Sequence, residues 1–182
     1  MKKVAVLLAD GFEEVEALTP VDFLRRAGIE VITAGIGGRE IKGGHDIKVI
    51  ADVEIDRLKT DELDGVIIPG GNPGAKNVGA SKEALKLVRD IEKEGKLIAA
   101  ICAAPALVLA PAGVLSGKKA TCYPGYEGEF KDTSFSDDRV VVDGNLITSR
   151  GPGTAAEFSI EIIRYLVGDE KADEVHKRTL QK

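Results

Sequence analysis

Cys102 stands in Ala99-Ala100-Ile101-Cys102-Ala103-Ala104-Pro105, between an apolar run and a segment with helical spacing. A sharp strand-to-helix turn at that point would expose the side chain at the edge of a sheet, as nucleophile elbows do. Amides opening the following helix would face the sulfur and favour thiolate over thiol. Ala103 and Ala104 are small enough for a tight turn and for an approaching substrate. The same placement also suits a buried structural cysteine, the commoner fate of a lone thiol.

Three other groups could serve such a nucleophile. Gly70 and Gly71, in Pro69-Gly70-Gly71-Asn72, follow an apolar run. Paired glycines at a strand end let backbone amides face an oxyanion with no Cβ in the way, although an ordinary tight turn has the same composition. Glu13, Glu14 and Glu16 open a helical pattern. The helix dipole stabilises acids there, which accounts for Glu13 and Glu14 structurally. Glu16 shares a face with Glu13 and, aimed at Cys102, would be a proton carrier with a raised pKa. Gly151-Pro152-Gly153-Thr154-Ala155-Ala156 formally fits a dinucleotide fingerprint. No later strand completes a βαβ unit, so it reads as a loop and helix start closing one side of a site. The two histidines, His45 and His176, lack metal-ligand spacing to each other or to a cysteine, and no metal or other cofactor is expected. His45, beside Asp46 in a Gly-rich loop, reads as a surface or interface residue.

The elements that must position these residues alternate along the chain. Strands are expected at Lys3 to Leu8, Glu30 to Ala34, Val66 to Ile68 and Leu97 to Ile101, with a hairpin arm at Ile47 to Ile50. Helices are expected at Glu13 to Ala27, Ser81 to Glu94, Ala103 to Ala110, Thr154 to Val167 and Ala172 to Thr179. Strands at Ala120 to Cys122, Arg139 to Val142 and Leu146 to Thr148 follow, the last two joined as a hairpin across Asp143-Gly144-Asn145. Apolar strands alternating with helices argue one α/β domain over 1–182, its mostly parallel sheet covered on both faces. Ligands of such sheets bind beyond the carboxyl ends of the strands. Ala9 to Glu13, Pro69 to Pro73 and Cys102 to Pro105 all leave such ends.

The composition narrows the partners. A net charge of −5, no Trp and no Lys/Arg run argue against nucleic acid. No stretch approaches the roughly 20 apolar residues of a membrane span. The N-terminal apolar run is short and ends at Asp10, a buried first strand rather than a signal peptide. Cys102 and Cys122 show no disulfide framework, which fits a reducing cytoplasm; Cys122 is expected to be buried and inert.

Four segments together resemble the ThiJ/PfpI superfamily, in the branch of the parkinsonism-associated deglycase and bacterial ThiJ-like proteins. They are Gly11-Phe12-Glu13-Glu14-Val15-Glu16, Pro69-Gly70-Gly71-Asn72-Pro73-Gly74-Ala75, the Cys102 segment and Thr148-Ser149-Arg150-Gly151-Pro152-Gly153-Thr154, and they span nearly the whole chain in the family's order. The resemblance implies a flavodoxin-like three-layer sandwich, class I glutamine amidotransferase-like, usually a homodimer. It implies Cys102 as nucleophile, Glu16 as the buried acid bonded to its sulfur, oxyanion amides from Gly71 and Ala103, and Arg150 and Pro152 at the pocket border.

Two positions depart from that pattern. Peptidase-type members carry histidine where this chain has Ala103, which argues against a peptidase or amidase. The deglycase branch usually has histidine before the proline matching Pro124, where this chain has Tyr123. A phenol titrates near 10 and is no base at neutral pH. A Cys–His dyad would need His45 swung in, from this chain or a partner subunit. The expected function is a cofactor-independent glyoxalase or deglycase acting on a small aldehyde or a glycated protein. The alternative is a redox-responsive stress protein or chaperone in which Cys102 becomes a sulfinic acid.

Overall fold

The computed structural model describes residues 1–181. The chain opens with β1 (Lys3–Leu8), α1 (Glu14–Arg26) and β2 (Glu30–Gly35), then a β3–β4 hairpin (Glu40–Lys42, Lys48–Ile50) and short β5 (Val53–Glu54). Next come β6 (Gly65–Ile68), α2 (Gly74–Ala80), α3 (Lys82–Lys93) and β7 (Leu97–Ile101). A π-helical turn over Pro105–Leu109 runs on as α4 (Ala110–Ala112). The chain finishes with β8 (Lys119–Ala120), β9 (Ser134–Phe135), β10 (Val140–Asp143), β11 (Leu146–Ser149), α5 (Ala155–Val167) and α6 (Asp169–Arg178).

Seven strands form one sheet in the order β10-β11-β7-β6-β1-β2-β5. β10 runs antiparallel to β11, and the other neighbours are parallel. The two faces are visible within β1. Val4, Val6 and Leu8 point into a core shared with α1 and α5, while Ala5 and Leu7 point into the opposite core with α2 and α3. This two-residue period explains why the central strands are apolar throughout. Each buried Val, Leu or Ile contributes about 1.5–3 kcal/mol, so the strands that carry the functional loops are firmly anchored.

Most expected elements are found within a residue or two. Ser81 caps α3, its hydroxyl accepting from the Ala84 amide at 3.1 Å. The Asp143-Gly144-Asn145 segment turns the β10–β11 hairpin, with Gly144 at φ 62°. One strand is shorter than expected: β8 stops at Ala120, before Cys122. The Thr121 amide donates to the Thr148 hydroxyl (2.9 Å) and the Tyr123 amide to the Cys102 carbonyl (2.8 Å), so neither continues a strand ladder. The short helix α2 and the strands β5 and β9 were not expected.

Candidate active site

The expected convergence of three loops is present. Glu13 from the loop after β1, Gly71 and Asn72 from the loop after β6, and Cys102 and Ala103 from the end of β7 line one cavity of about 360 Å³. Glu16, Tyr123, Tyr126 and Pro152 complete its walls.

Cys102 takes the sharp turn that its position implies. Its backbone φ is 64°, in the left-handed region that disfavours any side chain, at a cost of about 1–3 kcal/mol. Neighbouring backbone holds it there: its amide donates to the Ser149 carbonyl at 2.9 Å, and its carbonyl accepts from the Tyr123 amide at 2.8 Å. The thiol is half-buried, and the amides of Gly71 and Ala103 reach its sulfur.

Glu16 is fully buried on the first turn of α1. Its Oε2 accepts from the Gly70 amide at 2.8 Å, and Oε1 has no hydrogen-bond partner among the described residues. Burial pushes this carboxyl up to about 7, assisted by the charge of Glu13; the bonds to Gly70 and Cys102 only partly oppose it. A group titrating near neutrality can both give and take a proton.

The thiol does not follow the expectation of a thiolate favoured by a helix N-terminus. Burial first, then the charge of Glu16 and the hydrogen bond to it, push Cys102 up to about 12. The Gly71 and Ala103 amides pull the other way without prevailing. The pair therefore shares its protons. The sulfur gains the thiolate form most readily while Glu16 holds a proton, because the repulsion between the two is then absent.

The remaining expected residues divide into two groups. Tyr123 and Pro152 are at the cavity, Tyr123 half-exposed with its ring beside Gly151. Arg150 instead borders an adjoining groove that shares Tyr123 and Pro152 with the cavity. It is paired with Asp137 at 2.5 Å and lies over the Phe135 ring. Thr154 fixes the intervening turn, its hydroxyl donating to the Gly151 carbonyl (2.9 Å) and accepting from the Gly151 amide (3.2 Å).

His45 is not swung toward Cys102. Its ring nitrogen Nδ1 lies 2.9 Å from Glu14 Oε2 and 3.6 Å from Glu13 Oε2, on the outer side of Glu13. These three side chains form a compact group in which the imidazole is already engaged by carboxylates. Cys122 is buried, its thiol pushed up to about 11 by burial. The sequence reading missed Asn72 and Tyr126 as cavity walls and gave Glu13 only a structural role. Asn72 directly follows the glycine pair, a usable signal; Tyr126 has none.

Comparisons with known proteins place the chain in a family. The family model described as DJ-1/PfpI matches residues 2–165. The chain belongs to the DJ-1/PfpI family. It is 47% identical to the protein dj-1beta of Drosophila melanogaster over 98% of this chain and 97% of that protein. A protein from Pyrococcus abyssi, named a deglycase, is 34% identical over 90% of this chain and 99% of its own length. The solved structure of Toxoplasma gondii DJ-1, described as oxidized, superposes with a TM-score of 0.95 at 36% identity, covering 99% of this chain and 98% of that one. The fold is thus the flavodoxin-like sandwich of DJ-1 proteins, and the chain shares its family with DJ-1 and deglycase proteins. No helix among the described residues is long and apolar enough to cross a membrane.

Proposed function

We propose that the chain is a cysteine-dependent, cofactor-independent glyoxalase or deglycase, acting on reactive dicarbonyls or glycated groups. The carrying observation is the Cys102–Glu16 pair at the cavity, with the Gly71 and Ala103 amides reaching the same sulfur. With methylglyoxal, the Cys102 thiolate adds to the aldehyde carbon, and the new oxyanion accepts from the two amides before protonation gives a hemithioacetal. Glu16 as carboxylate removes the proton from the former aldehyde carbon and returns it to the adjacent carbon, while the hemithioacetal hydroxyl proton passes to the neighbouring ketone oxygen. This converts the adduct to the thioester of a 2-hydroxy acid. Water adds to the thioester carbonyl and the thiol leaves, so the net change is dicarbonyl plus water to lactate. No step requires an imidazole at Tyr123, nor any redox partner.

The alternative role of Cys102, oxidation to a sulfinic acid in a stress protein, is supported by Glu16 beside the sulfur, whose burial favours its protonated form. Such an acid can donate to a new sulfinate oxygen, and the Toxoplasma gondii relative is described as oxidized. A peptidase or amidase is disfavoured by Ala103, which offers no base beside the thiol. Assembly as a homodimer belongs to the same proposal. It is supported by Val15 and Leu18 on α1, and by Ile47 and Ile50 on and beside β4, all large apolar side chains left exposed. The test of activity is lactate formation from methylglyoxal by metal-free protein beside Cys102→Ser. Turnover lost in the variant supports the enzyme. No turnover, with a peroxide-dependent gain of holdase activity that Cys102→Ser lacks, would replace it with the stress role.

A further inference from the structure

The chemistry above gives no role to His45, yet the fold builds a seat for it. The turn between β3 and β4 is clamped over the start of α1: the Gly11 amide donates to Lys42 (2.7 Å), the Gly44 amide to Phe12 (2.8 Å), and the Lys42 amide to the Asp10 carboxylate (2.9 Å). The His45 amide donates to Glu14 Oε1 at 2.8 Å, and its ring engages Glu14 Oε2. The same ring nitrogen faces Glu13 at 3.6 Å, and Glu13 is a wall of the Cys102 cavity. Glu13 therefore stands between an exposed imidazole and the buried pair.

We propose that His45 sets the proton affinity of the Cys102–Glu16 pair by offsetting the charge of Glu13, acting as a positioning residue from outside the cavity. The proposal rests on the reading of Cys102 and Glu16 as the working pair.

The physical argument starts from Glu16. Its Oε1 is fully buried and has no hydrogen-bond partner among the described residues, so the field of nearby charges weighs heavily on its proton. The carboxylate of Glu13 disfavours a second negative charge on Glu16. A protonated His45 offsets Glu13; a neutral one does not. His45 itself is shifted upward, first by its bond to Glu14 and then by the charges of Glu13, Glu14 and Asp46. The other charged groups around this turn are Lys42, paired with Asp46, and Asp10 behind Lys42. Across the cavity stand Cys102 and the phenols of Tyr123 and Tyr126. A cationic His45 thus lowers the first apparent pKa of the pair, and its loss raises it.

The test is the pH dependence of Cys102 alkylation by iodoacetamide in the full chain, read from the mass of the Cys102 peptide. That rate follows the thiolate form of the pair and needs no turnover. His45→Asn, which keeps a donor for Glu14, is expected to move the midpoint up by about half a unit, and Glu13→Gln to move it down by about as much. The double variant should fall between the two single variants, because the two charges act on the pair with opposite sign. Coincident midpoints, or shifts of the two single variants in one direction, would overturn the proposal. Shifted midpoints without lactate formation would sink the enzyme reading alone; lactate formation with coincident midpoints would sink only this one.

Discussion

Gly70 separates Glu16 from Cys102 so closely that no side chain fits between them. A Cβ on residue 70 would stand 2.7 Å from Glu16 Oε2, 2.6 Å from the Cys102 Cβ and 3.0 Å from its sulfur. The glycine also donates its amide to Glu16 at 2.8 Å. One residue thus fixes the carboxyl and leaves it open toward the thiol. Gly70→Ala is expected to destabilise the fold by about 1–3 kcal/mol through overpacking. It should also suppress Cys102 alkylation and turnover together, read by thermal unfolding and peptide mass. Unchanged alkylation in the variant would mean the pair tolerates separation.

The buried carboxyl leaves a signature in stability. The folded-state pKa of Glu16, about 7, lies above its ordinary 4.5, so the folded protein holds this proton more tightly than the unfolded chain. Its stabilising contribution is full below about 4.5 and is lost as pH rises through about 7. Glu16→Gln keeps the shape and removes the titration. Its Tm should exceed that of the wild type above pH 7, by the equivalent of at most about 3 kcal/mol. The gap should narrow as pH falls toward 4.5. A gap independent of pH would contradict the raised pKa.

Backbone strain at Cys102 gives a second test of stability against function. With φ at 64°, glycine suits this position better than alanine. Cys102→Gly should therefore be more stable than Cys102→Ala by about 1 kcal/mol, or about 2–4 °C in Tm for a chain of this size. The reverse order would show that the turn is relaxed.

Complete burial of Glu16 predicts limited exchange with water during catalysis. Methylglyoxal labelled with deuterium on its aldehyde carbon should give lactate retaining part of that label on the adjacent carbon. Complete washout would transfer the proton step to a group reached by solvent, such as Glu13.

Several of these features were legible in the residues and others were not. β7, and β1 from Val4 to Leu8, are apolar because both faces are covered, and the glycine pair and Cys102 sit directly at strand ends. α2 was hidden: Gly74-Ala75-Lys76-Asn77-Val78-Gly79-Ala80 carries two glycines and an asparagine, poor helix formers, and no long apolar stripe. The direction of the Cys102 shift was misread because a helix start is visible in sequence, whereas burial and the approach of Glu16 from α1 are not. His45 read as a surface residue, which its exposure supports. That its ring lies against Glu13 and Glu14 depends on the β3–β4 turn folding back over α1, a contact between segments about thirty residues apart.

The central claim is that Cys102 and Glu16 act as one unit on a dicarbonyl. The most direct measurement is lactate formation from methylglyoxal by metal-free wild type, Cys102→Ser and Glu16→Gln at pH 7, with each variant's folding confirmed. The account predicts turnover in the wild type and at least a hundredfold loss in each variant, consistent with removal of a nucleophile or a proton carrier. A Glu16→Gln protein that turns over at the wild-type rate, or a wild type with no turnover, would contradict it.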